Sequence, residues 1–240
     1  MQVIILENKE QVAIEAADII KAAILAKPDL VLGLATGSSP LGLYQKLIDA
    51  NQNKEMSFRD VKTVNLDEYI GLEKTHDQSY AYFMRKQLFD QIDIQLSNTH
   101  IPSGMADDLQ AEATRYEALL DELQVDLQLL GIGSNAHIGF NEPGTSFTKL
   151  THVTDLAKET LEANARFFDT IDAVPTQAIT MGIASILKAK RIVLIATGES
   201  KAQAIRCMVQ GPVSETCPAS VLQNHPKVLV IVDKEAASAL

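Results

Sequence analysis

Short, nearly unbroken apolar runs rich in β-branched residues recur at 30–35, 61–66, 125–131, 191–196 and 227–232, with 3–6 as a further candidate strand. A strand that is apolar at every position must be covered on both faces, as happens in a parallel sheet sandwiched between helices. Amphipathic stretches separate the runs, the pattern of successive βα units. The fold class is therefore expected to be α/β, with a mostly parallel sheet and helices on both faces. Asn8 and Gln11 stand in capping-box spacing ahead of a helix over 8–26, whose Val12, Ala16, Ile19, Ile20 and Ala23 recur at helical intervals. Pro40 occupies the place of a first helical residue before 41–50, and 111–123 reads as a further helix.

A length of 240 residues suits one α/β domain spanning 1–240, and neither an internal repeat nor a Ser/Gly linker divides the chain. With 46% hydrophobic and 22% charged residues it has the balance of a globular protein. A formal charge of −10 argues against nucleic acid as a partner, because binding phosphate backbones requires clustered Lys and Arg. Any phosphate must then be met by a local site. No apolar run approaches the roughly 20 residues of a membrane span, and Met1 to Leu6 lacks a basic leader, so no membrane partner and a cytoplasmic location are expected. Cys207 and Cys217 lie ten residues apart without metal-site spacing and read as buried free thiols.

Ligands of such sheets bind beyond the carboxyl ends of the strands, and four polar segments follow the apolar runs. The first is GLATGSSP, from Gly33 to Pro40. It is either a plain strand-to-helix turn or an anion site in which free N–H groups around Gly37, Ser38 and Ser39 join the hydroxyls of Thr36, Ser38 and Ser39. It matches neither common nucleotide fingerprint. The second is TVNLDEYIGL, where Asp67 and Glu68 follow a strand. Asp67 is either a turn cap or, partly desolvated, a carboxylate whose pKa is raised into the range of a general base.

The third segment, LGIGSNAHIGFNEP, places Gly133, Asn135, His137 and Glu142 in one loop after a buried strand. Glu142 is close enough in sequence to orient the His137 imidazole for acid/base work. The fourth is split between ARFFD and ATGESKA. Arg166 could clamp a phosphate, and Lys201 would project from a first helical turn toward the same sheet edge, although either cation alone is more often solvated. His76, His100, His152 and His225 have no comparable company and receive no role.

In this order and spacing the segments, together with LQNHPK at 222–227, resemble the glucosamine-6-phosphate deaminase family over about residues 30–227. The resemblance implies a Rossmann-like fold and the conversion of D-glucosamine 6-phosphate and water to D-fructose 6-phosphate and ammonia, without cofactor or metal. It assigns Asp67 as the base between C2 and C1 of the open-chain sugar and His137 to ring opening, with Glu142 and Asn135 supporting the His. Thr36, Gly37, Ser38, Ser39, Arg166 and Lys201 would hold the substrate phosphate, and Glu68 and Gly133 would contact the sugar. Some family members carry Asp where Asn135 stands, so this position supplies no charge here.

A 6-phosphogluconolactonase would share the fold and phosphate loop but would leave Asp67, His137 and Glu142 unexplained as a set. A sugar-phosphate-binding transcription regulator would need a basic helix-turn-helix, which this acidic chain does not offer. Longer relatives can be hexamers activated by N-acetylglucosamine 6-phosphate through basic side chains after the NEP motif and a C-terminal extension. Here 144–154 holds one Lys and no Arg, so a monomer or small homo-oligomer without that activation is expected.

Overall fold

The computed structural model describes residues 1–157, 160–161, 168 and 174–240. Its strands are β1 (Gln2–Leu6), β2 (Val31–Leu34), β3 (Lys62–Asn65), β4 (Asp67–Tyr69), β5 (Thr99–His100), β6 (Leu127–Leu130), β7 (His152–Asp155), β8 (Gln177–Thr180), β9 (Ile192–Ala196) and β10 (Val228–Asp233). Seven of them form one sheet in the order β1-β10-β9-β6-β2-β3-β5, with every neighbouring pair parallel. All six apolar runs of the sequence lie in this sheet.

Side-chain alternation explains why those runs are apolar throughout. Leu32, Leu34, Leu127, Leu129, Val193, Ile195, Leu229 and Ile231 pack into one buried cluster with residues of α1 (Lys9–Ala26) and α2 (Leu41–Gln52). Val64, Leu130, Ile192, Leu194, Val228, Val230 and Val232 pack into another, with Tyr116 and Leu120 of α4 (Leu109–Leu123) on the opposite face. Each such Leu or Ile contributes about 1.5–3 kcal/mol by leaving water, so both faces select for apolar residues. The sheet is thus covered on both sides.

Local signals set the helix ends. Asn8 Oδ1 accepts from the N–H groups of Glu10 and Gln11, each at 3.1 Å. Gln11 reaches back to the N–H of Glu7 at 3.1 Å, one residue earlier than a capping box requires. Pro40 stands in the cap position rather than the first turn, and α2 begins at Leu41. Capped by Asp108, α4 begins at Leu109, two residues before the start expected from periodicity. Further α-helices are α3 (Tyr80–Gln87), capped by Ser79, α5 (Ile183–Leu187) and α6 (Ala202–Gln210).

β4, β8 and β7 form a separate antiparallel sheet in that order, which the sequence reading did not anticipate. The chain also corrects the free-thiol expectation. Cys207 near the end of α6 and Cys217 are joined as a disulfide with their Cα atoms 6.4 Å apart. Folding brings the end of α6 against the 3-10 turn at Pro218–Asn224, a proximity that sequence spacing does not reveal. Among the described residues, no helix is long and apolar enough to cross a membrane.

Candidate active site

β2 starts in the middle of the large sheet. The chain moves outward through β3 and β5, then returns to the other side of β2 through β6, β9 and β10. The strand order therefore reverses between β2 and β6, where the loops beyond two adjacent carboxyl ends part and leave a crevice. A cavity of about 240 Å³ occupies that place, lined by residues 35–39 after β2, by Leu66 and Asp67, by residues 131–135, 137 and 139–140 after β6, and by Tyr80, Thr160 and Lys201.

The β2 loop is shaped for an anion. Gly37 has φ of +88°, a left-handed conformation that glycine adopts without strain, and the chain then enters α2 through Pro40. The first turn of α2 has N–H groups that no helical carbonyl can satisfy, and its axis presents a partial positive charge to the cavity. Tyr44 anchors the base of the loop by donating its hydroxyl to the carbonyl of Ala35 at 2.5 Å. Thr36, Gly37, Ser38 and Ser39 all line the cavity, and Lys201 lines it from the 3-10 turn at Glu199–Lys201 after β9. Arg166 lies outside the described residues.

Asp67 and Glu68 are consecutive on β4, so they project to opposite sides. Asp67 faces the cavity with 6% of its surface exposed. Burial, reinforced by the charge of Glu68, pushes its pKa up to about 8. Glu68, expected among the sugar-binding residues, does not line the cavity. Its carboxylate instead accepts from the N–H groups of Tyr69, Tyr80 and Ala81, each at 2.9 Å, tying β4 to the start of α3. Strand alternation gives the cavity one carboxylate and the helix the other.

The β6 loop is folded around its glycines and amides. The N–H of Gly133 donates to the carbonyl of His137 at 2.9 Å, and Ala136 between them has φ of +66°. A Cβ at Gly133 would stand 2.4 Å from the His137 ring, so only glycine leaves room for the imidazole in its present place. Gly139, with φ of +57°, passes close to Asp67: a Cβ there would lie 3.5 Å from its carboxylate and 3.0 Å from the Thr180 hydroxyl. Asn141 is fully buried and pins the loop by donating to the carbonyls of Ile138 and Met181, both at 2.8 Å.

Glu142 closes the group. One of its oxygens lies 3.2 Å from His137 Nδ1 and accepts from Asn135 Nδ2 at 2.7 Å, while the other accepts from Thr160 at 2.5 Å. Burial works against its charge, but the hydrogen bonds and the charge of the His hold its pKa down, at about 2. Asn135 also accepts from the N–H of His137 at 3.2 Å, so it orients both the carboxylate and the loop carrying the imidazole. The result is an ionised Glu behind a His, facing a buried Asp of high pKa across one cavity. Such a pairing of unlike carboxylates suits chemistry that both adds and removes protons.

Tyr80 and Thr160 line the cavity without having been anticipated. Tyr80 arrives with the first residue of α3, where the Glu68 cap holds its N–H, and its ring stacks on Phe140 with centroids 6.0 Å apart. Neither residue sits in a glycine-rich or charged motif, and neither follows a strand of the main sheet. No local pattern could have marked them. Among the described residues, no group of three or more His, Cys, Asp or Glu is arranged to hold a metal ion.

Fold and cavity together define an α/β protein with a glycine-bearing strand-to-helix loop and a group of Asp67, His137 and Glu142 at the switch point of its sheet. Residues 7–231 match the family of glucosamine-6-phosphate isomerases and 6-phosphogluconolactonases. Across 239 residues the chain is 53% identical to a glucosamine-6-phosphate deaminase of Geobacillus sp. strain WCH70, covering 99% of this chain and 95% of the relative. With a deaminase of Bacillus pumilus it shares 51% over 99% of both chains. A solved structure of a monomeric glucosamine-6-phosphate deaminase superimposes over the whole of both chains with a TM-score of 0.98 and 50% identity. The 6-phosphogluconolactonase of Thermotoga maritima has the same fold, with a TM-score of 0.76 at 20% identity. The chain belongs to the glucosamine-6-phosphate deaminase family.

Proposed function

We propose that this chain converts D-glucosamine 6-phosphate and water to D-fructose 6-phosphate and ammonia. The observation that carries this reading is the placing of Asp67, with its raised pKa, opposite the His137–Glu142 pair in a cavity whose far wall is the Thr36–Ser39 loop and Lys201. The names of its relatives supply the substrate.

The reaction needs three proton movements, and the side chains suit them. His137, oriented by Glu142, gives a proton to the ring oxygen as the sugar opens. Asp67 takes the proton from C2, made acidic by the adjacent carbonyl, and delivers it to C1. Protonation at C1 leaves C2 doubly bonded to nitrogen; water adds to C2, and the resulting carbinolamine forms the C2 ketone as the nitrogen accepts a proton and leaves as ammonia. The Thr36–Ser39 turn and Lys201 hold the phosphate, with Arg166 as a further partner, and fix C1 and C2 against Asp67. Asn135 and Gly133 keep His137 and Glu142 in register.

Incubation with glucosamine 6-phosphate is expected to release ammonia and fructose 6-phosphate in equal amounts. Hydrolysis of 6-phosphogluconolactone with no ammonia from the amino sugar would replace this reading by the lactonase one.

We further propose a monomer with hyperbolic kinetics and no activation by N-acetylglucosamine 6-phosphate. The single Lys and absent Arg in 144–154 support it, as does the monomeric state of the deaminase that superimposes on it. Sedimentation with saturation curves taken with and without the acetylated sugar tests it. A hexamer with a sigmoidal curve relieved by that sugar would overturn it.

A further inference from the structure

A second cavity, of about 470 Å³, opens at the edge of the large sheet, between α3, the edge strand β5 and α4. Lys74, Arg85, His100 and Arg115 line it, and no Asp or Glu does, in a chain whose formal charge is −10. Phe89, Leu96, Ile101 and Leu119 make its apolar walls, and Thr75 and Thr99 add hydroxyls.

The cations differ in how they are held. Arg115 is set by Glu112, which accepts from its Nε at 2.6 Å and its Nη2 at 2.7 Å. That carboxylate is itself buried and receives the N–H of Ser103 at 2.8 Å, so it anchors the guanidinium without lining the cavity. Arg85 pairs with Asp90 at the surface, where both side chains are about half exposed. Among the described residues no carboxylate lies within salt-bridge distance of Lys74. His100 reports the local field: burial first, then the positive charges of Arg115 and Lys62, lower its pKa. A guanidinium fixed by a buried carboxylate, a second guanidinium at the rim, one ammonium and two hydroxyls around an apolar hollow suit a dianion attached to a compact apolar body.

We infer that this cavity is an accessory binding site for a small organic phosphate, separate from the catalytic cavity. The inference does not depend on the proposed reaction. Its nearest link to the catalytic cavity is Ala81, which lines the accessory site and whose N–H holds Glu68, the neighbour of Asp67.

Titration calorimetry and amide NMR with phenyl phosphate on the full chain test the proposal. Binding is expected to move the amides of Thr75, Thr99 and Ile101, with the catalytic cavity as a second place on the chain where phenyl phosphate can bind. The double variant Lys74→Ala/Arg115→Gln should weaken the accessory site at least ten-fold, leave the other site intact and leave ammonia release unchanged. Lys74→Glu alone, at an exposed position, should weaken it in the same direction should the double variant fold poorly. Binding that moves none of the Thr75, Thr99 and Ile101 amides would overturn the inference, as would a site there indifferent to Lys74→Glu. So would benzyl alcohol binding there as tightly as the phosphate, since the cavity would then be reading only the apolar body.

Discussion

One oxygen of Glu142 lies 3.2 Å from Nδ1 of His137, and the same oxygen accepts the amide of Asn135 at 2.7 Å. The carboxylate is held charged, with a pKa of about 2, in a place where burial alone would neutralise it. It thereby fixes which face of the imidazole turns to the cavity. Glu142→Gln keeps the shape and removes the charge. Turnover is expected to fall roughly 10- to 100-fold with KM little changed, toward the lower end of the range for a disturbed general acid. Steady-state kinetics against glucosamine 6-phosphate check this, and a rise in KM alone would make Glu142 a binding group.

The same depressed pKa predicts an acid limb of stability. A carboxylate whose folded pKa lies below its unfolded value stabilises the fold above the unfolded value, and that contribution is lost as pH falls through the folded one. Glu142 should therefore supply on the order of 2–3 kcal/mol that disappears between about pH 4.5 and pH 2. Denaturant titrations across that window should show the wild type losing more stability than Glu142→Gln. Parallel curves would mean that the buried charge is not linked to folding.

For Asp67 the sign is reversed. Its folded pKa is about 8, against an ordinary carboxylate value near 3.9, so ionisation costs the folded state progressively as pH rises between the two. Asp67→Asn should melt at a higher temperature than the wild type at pH 9, with little difference below about pH 4. It should also lose at least roughly 10²-fold in turnover, since an amide cannot serve as the base. In the wild type, kcat/KM should decline on the acid side with an inflection near 8. An acid limb near 4 would show that the free carboxyl is not shifted.

Gly133→Ala tests the close approach of backbone to imidazole. The added methyl would meet the His137 ring at 2.4 Å, and the ring must swing out of its place beside Glu142. Turnover should drop at least about 10-fold while the melting temperature stays within a few degrees, because the ring can move into the open cavity. Kinetics close to wild type would show that the imidazole position is not needed.

Glu68→Gln separates a structural cap from a substrate contact. Three N–H donors at 2.9 Å lose their charged acceptor, at a cost of about 1–3 kcal/mol. Chemical denaturation should register that loss together with a moderate fall in turnover, as α3 and β4 loosen around Asp67. An unchanged stability with a raised KM would return Glu68 to the sugar-binding role that the sequence suggested.

The sequence by itself determined the large sheet and the places where chemistry gathers. A strand such as Ile192–Ala196 is apolar at every position because alternate side chains enter two different cores, so the requirement is written locally. Once the sheet is parallel, the loops after β2 and β6 must open at the same edge. Thr36, Asp67, His137 and Lys201, spread over 165 positions of the sequence, then face one cavity.

Only the tertiary structure decided how that cavity is furnished. Strand alternation says that Asp67 and Glu68 diverge, but not which one turns inward. That depends on where α3 begins, and its N–H groups claimed Glu68. β4 has three residues and pairs with β8 more than a hundred positions later, too short and too distant a strand to leave a periodic signal. Tyr80 and Thr160 reach the cavity through such long-range placement, and Cys207 meets Cys217 because α6 ends against the turn that follows it. Local pattern records the burial a residue needs. The identity of the partner it meets depends on the packing of elements that are remote in the chain, and that is settled only when both cores close.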